Sequence, residues 1–162
     1  MKILGIDPGL HICGYAVIEA DSGDVRLIEA GVCRTNTRLP IEKRLVQIAK
    51  DVNSLLEKFK PEFMSIEELY SHYAHPKTAI LMGHARGVIL AAACQYGTNI
   101  KNFSATRIKK SLTGNGRASK HQMQNSIKSV LGLSQLPEPA DVADAIAAAL
   151  CCANENKLKF EI

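Results

Sequence analysis

From Leu69 through Pro137 the sequence contains no aspartate and no glutamate, although sixteen acids are distributed over the rest of its 162 residues. The same stretch carries Lys77, Arg86, Lys101, Arg107, Lys109, Lys110, Arg117, Lys120 and Lys128. A segment this one-sided in charge predicts a polyanionic partner more strongly than the whole-chain net charge of +4 does. Other absences narrow the field. Cys13, Cys33, Cys94, Cys151 and Cys152 form no CxxC pair and have no Cys/His ligand spacing, which argues against a disulfide scaffold or a zinc module. They read as reduced, buried thiols. No apolar run approaches the length of a bilayer span, so no membrane partner is expected. No cationic leader precedes the first apolar run, and the expected location is cytoplasmic, or organellar after loss of a leader. Internal repeats, low-complexity tracts and long linkers are also missing, which predicts a single domain over residues 1–162.

What is present follows the order of a mixed α/β protein. Lys2–Ile6, Tyr15–Ala20 and Val25–Cys33 read as the strands of a meander, separated by Gly9, Gly14 and the turn at residues 21–24. Ile41, Leu45, Ile48, Val52, Leu55, Leu56 and Phe59 repeat at helical spacing between Pro40 and Pro61. A short strand over Phe63–Ile66 follows, then a helix from Pro76 to about Cys94. In that helix Gly83 and Gly87 stand one turn apart, a spacing that allows a close approach to the sheet or another helix. A strand over Ile100–Phe103, a short helix over Arg107–Leu112, a Gly114-Asn115-Gly116 turn, and helices over Ser119–Leu131 and Asp141–Ala153 complete the pattern. Such an order predicts a five-stranded mixed sheet flanked by helices.

Four acids stand out against this pattern. Asp7 and Glu67 each end an apolar strand, a position at which neighbouring parallel strands build sites. Asp141 and Asp144 lie three residues apart on the last helix and share one side of it. Each has an ordinary explanation: Asp7 can open the Pro8-Gly9 turn, and acids in a first helical turn stabilise the backbone dipole by roughly 0.3 to 1 kcal/mol. Their convergence would be different in kind. Four carboxylates gathered without a cation repel one another. As hard oxygen ligands they suit Mg²⁺ or Mn²⁺, and two such ions roughly 3.5 to 4 Å apart can activate water against a phosphodiester. The alanines at 143, 145, 147, 148 and 149 predict a helix held tightly against the sheet beside them.

The motifs Gly5-Ile6-Asp7-Pro8-Gly9 with Gly14-Tyr15, Ile66-Glu67, Gly83-His84-Ala85-Arg86-Gly87, Lys109 and Lys120 around Gly114-Asn115-Gly116, and Ala140-Asp141-Val142-Ala143-Asp144-Ala145 together resemble the RuvC family of Holliday junction resolvases. The match runs nearly end to end. It implies a ribonuclease H-like fold and a crossover junction endodeoxyribonuclease acting in DNA recombination and repair. It implies Asp7, Glu67, Asp141 and Asp144 as ligands of two Mg²⁺ ions per subunit, with Mn²⁺ able to substitute. Lys109 and Lys120 match the family's lysines near the scissile phosphate. Tyr70 matches an aromatic that stacks on an unpaired base at the crossover; a tyrosine buried under the second helix is the competing reading. Arg86, Arg107, Lys109, Lys110, Arg117 and Lys120 are expected to contact DNA. The resemblance also implies a homodimer on four-way junction DNA that nicks two strands of like polarity, with a branch-migration motor as partner. Ala74 and His84 depart from the family's usual asparagine and glutamine.

The histidines add little. His72 and His75 lack a third ligand, and His11 is close enough in sequence to Asp7 to assist a proton transfer, although a bystander fits as well. Two other readings of the residues stay open: a nuclease of the same fold acting on structured RNA, and a nucleic-acid-binding module without catalysis. An actin-like kinase is excluded by the chain's length and the missing second phosphate loop.

Overall fold

The computed structural model describes residues 1–21, 23–69 and 76–160, with the side chains of 157–160 left out of the description. Tyr70, His72, Ala74 and His75 therefore lie outside the described residues. Strands β1 (Lys2–Asp7), β2 (Ile12–Asp21) and β3 (Asp24–Arg34) form an antiparallel meander. Helix α1 (Ile41–Phe59) then crosses to β4 (Phe63–Glu67), and α2 (Pro76–Gln95) to β5 (Asn99–Phe103). Three helices follow: α3 (Ala105–Thr113), α4 (Lys120–Leu131) and α5 (Ala140–Phe160). The sheet order is β3-β2-β1-β4-β5, with β1, β4 and β5 parallel. This is the expected five-stranded mixed sheet.

Alternation along the strands sorts two cores onto its faces. Leu4, Ile6, Val17, Met64 and Ile66 meet Ile48, Val52 and Leu56 of α1 and Ile89 and Ala93 of α2. Ile3, Ala16, Ile18 and Phe103 meet α5, whose residues from Val142 to Ala153 are buried except Asp144. A helix apolar on every side must be covered on every side. The sheet lies against one side of α5, and Ile108 of α3 and Met123 and Ile127 of α4 close the other.

Gly5 and Gly14 make the contact between α5 and the sheet possible. A Cβ on Gly5 would overlap the Ala145 carbonyl oxygen and stand 2.8 Å from the Ala149 Cβ, and one on Gly14 would overlap the Asp141 carbonyl. The alanine-rich segment therefore does pack closely, as expected. Gly83 and Gly87 do not: a Cβ at either position meets nothing within 4 Å among the described residues. The close approach that their spacing allows at α2 occurs instead between the first two strands and α5.

Three further expectations are corrected. Gly14 sits inside β2, which begins at Ile12, because a backbone pressed from one face needs a residue without a side chain there. Helix α5 runs past Ala153, and the polar residues beyond it have partners: Asn154 reaches Ser111, Glu155 pairs with Lys101 and Arg107, and Asn156 bonds the Cys152 carbonyl. Cys94 is exposed, while the other four cysteines are buried and free. No helix among the described residues is long and apolar enough to cross a membrane.

Candidate active site

The site grows from strand register. Ile6 of β1 pairs with Ile66 of β4, so Asp7 and Glu67 follow at adjacent ends of two parallel strands, about 4.8 Å apart in sheet spacing. Leu4, Ile6, Met64 and Ile66 point toward α1 and α2, and alternation turns Asp7 and Glu67 to the opposite face, where α5 lies. Ser65, two residues before Glu67, confirms that direction by donating to the Ala148 carbonyl over 2.6 Å. Asp7 pairs in register with Gly14, and the Asp141 backbone rests on Gly14. The first turn of α5 is thereby set beside the end of β1. It brings Asp141 and Asp144 toward the two strand-end acids.

The loop after Asp7 is fixed from the other side. Thr35 Oγ1 donates to the Leu10 carbonyl over 2.5 Å, and Arg44 of α1 donates to both Thr35 Oγ1 and the same carbonyl. His11 in this loop is exposed. Lys109 and Lys120 enter through α3 and α4. Ser104 caps α3 by accepting from the Arg107 N–H, Gly114 ends it with a left-handed φ of 75°, and Asn115 Oδ1 accepts from the Arg117 N–H. Ser119 and Gln122 then form a reciprocal cap at the start of α4, immediately before Lys120. A cavity of about 190 Å³ opens between these helices, with Glu67, Asp144, Lys109 and Lys120 among its lining.

Electrostatics tie these groups into one site. The Asp7 carboxyl is pushed from 3.8 up to about 7, by burial first, then by the charges of Asp144, Asp141 and Glu67, against a smaller opposing pull from Lys120. Glu67 is raised by burial and then by Asp144, with Lys109 opposing. Asp144 is raised by burial, opposed by Lys120 and raised further by Asp141. Among the described residues, none of the four carboxylates accepts a hydrogen bond or forms an ion pair within the chain. As the side chains stand, no group of three or more His, Cys, Asp or Glu among the described residues is gathered closely enough to hold a metal ion. The arrangement is an open one: hard oxygen donors, without soft ligands, facing each other across a partly buried gap. That donor set fits Mg²⁺ or Mn²⁺.

A pH dependence follows. The folded chain holds the Asp7 proton more tightly than the unfolded chain, so this contribution to stability is complete below about pH 4 and is lost as the pH rises toward about 7. Metal-free protein is expected to melt at progressively lower temperature across that window, by at most a few kcal/mol of stability. Asp7→Asn should flatten the decline. Thermal melts in chelator across the window check this, and an equally steep decline in the variant would show that Asp7 does not cause it.

The remaining cations separate into two groups. Lys110, Arg117 and Lys120 are exposed, and Lys109 is half-buried; none of these four forms an ion pair among the described residues. Arg86 and Arg107, also expected to contact DNA, have partners within the chain. Arg107 pairs with Glu155 at 3.2 Å and lies over the Phe103 ring, 5.2 Å from its centre. Arg86 donates to the Glu67 carbonyl and to Asn102 Oδ1. His84 stays on its own helix, with Nδ1 2.8 Å from the Ile80 carbonyl.

Residues 3–152 match the family model for the crossover junction endodeoxyribonuclease RuvC. The chain belongs to the RuvC family. The RuvC of Rhodopirellula baltica is 48% identical over 149 residues, spanning 92% of this chain and 84% of that one. The RuvC of Caldicellulosiruptor saccharolyticus is 41% identical over 152 residues, covering 93% and 91% of the two chains. Among solved structures, Thermus thermophilus RuvC in complex with a Holliday junction substrate superposes with a TM-score of 0.93 at 30% identity, over 98% of this chain and 96% of that one. With the sheet order above, this establishes the ribonuclease H-like fold. The RuvC family is one of metal-dependent nucleases that hydrolyse phosphodiester bonds in DNA, and this chain is an endodeoxyribonuclease of that family.

Several residues that shape this RuvC-family site escaped the sequence reading. Asn102, Asn154 and Glu155 act through partners sixteen, forty-three and forty-eight residues away, and no local pattern marks such contacts. Gly5 and Gly14 were visible as glycines, but their purpose was not. Only the position of α5 explains them.

Proposed function

We propose that this protein resolves Holliday junctions as a homodimer, each subunit nicking one of two strands of like polarity by hydrolysis at a site formed by Asp7, Glu67, Asp141 and Asp144. The observation that carries the reading is their convergence from two neighbouring parallel strand ends and one helix, facing two lysines that form no ion pair among the described residues. The solved relative bound to a Holliday junction supports the choice of substrate.

The four carboxylates would hold two Mg²⁺ ions, with Mn²⁺ as a substitute. Bound there, divalent ions lower the pKa of a water nucleophile and offset the charge developing on the phosphate. Asp7, the most strongly perturbed acid, needs a neighbouring positive charge to stay ionised at neutral pH. Lys109 and Lys120 face the acids and would hold the scissile phosphate in line while stabilising its charge. Lys110, on α3, and Arg117, on the turn between α3 and α4, would fix the backbone of a junction arm without reading its sequence. Tyr70, immediately beyond the β4 end, would stack on an unpaired base at the crossover. The reading treats residues 1–162 as one cytoplasmic nuclease domain, and a branch-migration motor would supply junctions to it.

Incubation with a synthetic four-way junction, linear duplex and folded RNA, each with and without Mg²⁺, tests the proposal. Paired nicks at symmetric positions on the junction alone, only with the metal, are expected. Efficient cutting of duplex, or of RNA in preference to the junction, would sink it. Lys120→Ala and Lys109→Ala should each lower the single-turnover rate by about 10²-fold, with little loss of junction affinity. Lys110→Ala and Arg117→Ala should behave oppositely, weakening binding and reducing its salt slope by about one while leaving the rate at saturation unchanged. Titrations at several salt concentrations separate the two pairs.

A further inference from the structure

We propose that Arg86 is a positioning residue for Glu67: its guanidinium, reaching from α2 to the Glu67 carbonyl and the Asn102 side chain, fixes the strand end that presents the carboxylate. This extends the reading above, since it rests on Glu67 as a metal ligand.

Three observations support it. The first is where α2 begins to dock. Ala79, Met82 and Gly83 are only partly covered, and Ala85 is the first fully buried residue of the helix, so α2 becomes firmly seated on the body of the protein at Ala85, beside Arg86. Arg86 therefore stands at the anchor point of the helix and bonds the last residue of β4. The second is direction. Ile66 of β4 and Ile100 of β5 pack with the α2 core, and Asn102 shares that face of β5 by alternation. The Arg86 group thus approaches from the face opposite to the one the Glu67 carboxylate occupies. From there it holds the backbone without competing for the carboxylate oxygens. The third is the geometry of the donor. A planar guanidinium satisfies acceptors on two strands at once, tying the β4 end to β5 where the Glu68 N–H also bonds the Phe103 carbonyl. The group is partly buried, and burial also draws its pKa below the usual arginine value. A phosphate-binding arginine keeps its donors turned outward; this one has turned them in.

The test compares Arg86→Ala, Arg86→Lys and Asn102→Ala with the parent chain. Junction affinity and its salt slope are measured without divalent metal, the single-turnover rate with saturating junction, and the Mg²⁺ concentration giving half the maximal rate. For Arg86→Ala the expected result is parent-like affinity and salt slope, a rate lower by about tenfold or more, and a severalfold higher Mg²⁺ midpoint. Arg86→Lys should not restore the rate, because an ammonium restores charge but not the two-strand bridge, and Asn102→Ala should shift rate and midpoint in the same direction by less. A weaker affinity with a salt slope reduced by about one would make Arg86 a phosphate contact and overturn the proposal. So would full rescue by lysine, or a lower melting temperature with parent rate and midpoint. Glu67→Gln, assayed alongside, separates the two levels of the argument. Parent-rate cutting by Glu67→Gln sinks the metal-site reading itself, whereas an inactive Glu67→Gln beside a parent-like Arg86→Ala removes only the positioning role.

Discussion

Asp7→Asn is expected to abolish strand cleavage, lowering the single-turnover rate by on the order of a thousand-fold or more, while the variant still binds a four-way junction at least as tightly as the parent. The substitution keeps the size and shape of the side chain but removes its charge, and with it one anionic ligand. Asp7 is the acid against which all three others act, and it lies where burial makes that interaction strong. Affinity should hold because the cations proposed to contact phosphate lie on α3, α4 and the turn between them. Loss of one buried negative charge also weakens repulsion of the DNA backbone. Single-turnover assays on a radiolabelled or fluorescent junction, paired with gel-shift titrations, make the comparison. Cutting at the parent rate would remove Asp7 from the catalytic set and leave the convergence of acids without a function.

The second large effect is structural. Gly5→Ala should destabilise the fold by about 3 kcal/mol and lower the melting temperature by roughly 10 °C. The added methyl would overlap the Ala145 carbonyl and crowd the Ala149 nitrogen and Cβ, so backbone has to move rather than a flexible side chain. Because α5 carries Asp141 and Asp144, the same shift should reduce cleavage in protein that remains folded. Gly83→Ala provides the opposite case. Among the described residues nothing stands within 4 Å of a Cβ there, and alanine in a helix interior is favoured by about 1 kcal/mol, so that variant should melt higher. Melting curves of both variants against the parent would decide the matter, and a harmless Gly5→Ala would show that α5 is not seated as closely as described.

These two glycines also mark how far the sequence could be read. The acids were legible because each signal is local: Asp7 and Glu67 close apolar runs, and Asp141 and Asp144 share a helical face. Strand and helix order followed from periodicity, and the mixed sheet followed from that order. What stayed hidden depends on residues far apart in the chain. Gly14 looked like punctuation and lies mid-strand beneath the α5 backbone, while Gly83 looked like a packing site and a Cβ there meets nothing within 4 Å among the described residues. The partners of Arg86 and Arg107 were not legible, because a lone positive charge carries no mark of what it bonds. Asn102 and Glu155 supply those partners from other elements, and the asparagines that seemed to end α5 are held by Ser111 and by the Cys152 carbonyl.

The all-round burial of α5 has a consequence for synthesis. A nascent chain that has emerged as far as β5 already carries both strand-end acids, yet it lacks the helix that bears the other pair and fills the second core. Half a ligand set holds divalent ions poorly. With the ligand set proposed above, the nuclease should therefore stay silent on the ribosome until α5 has emerged and docked against the sheet, which keeps unfinished copies from nicking DNA.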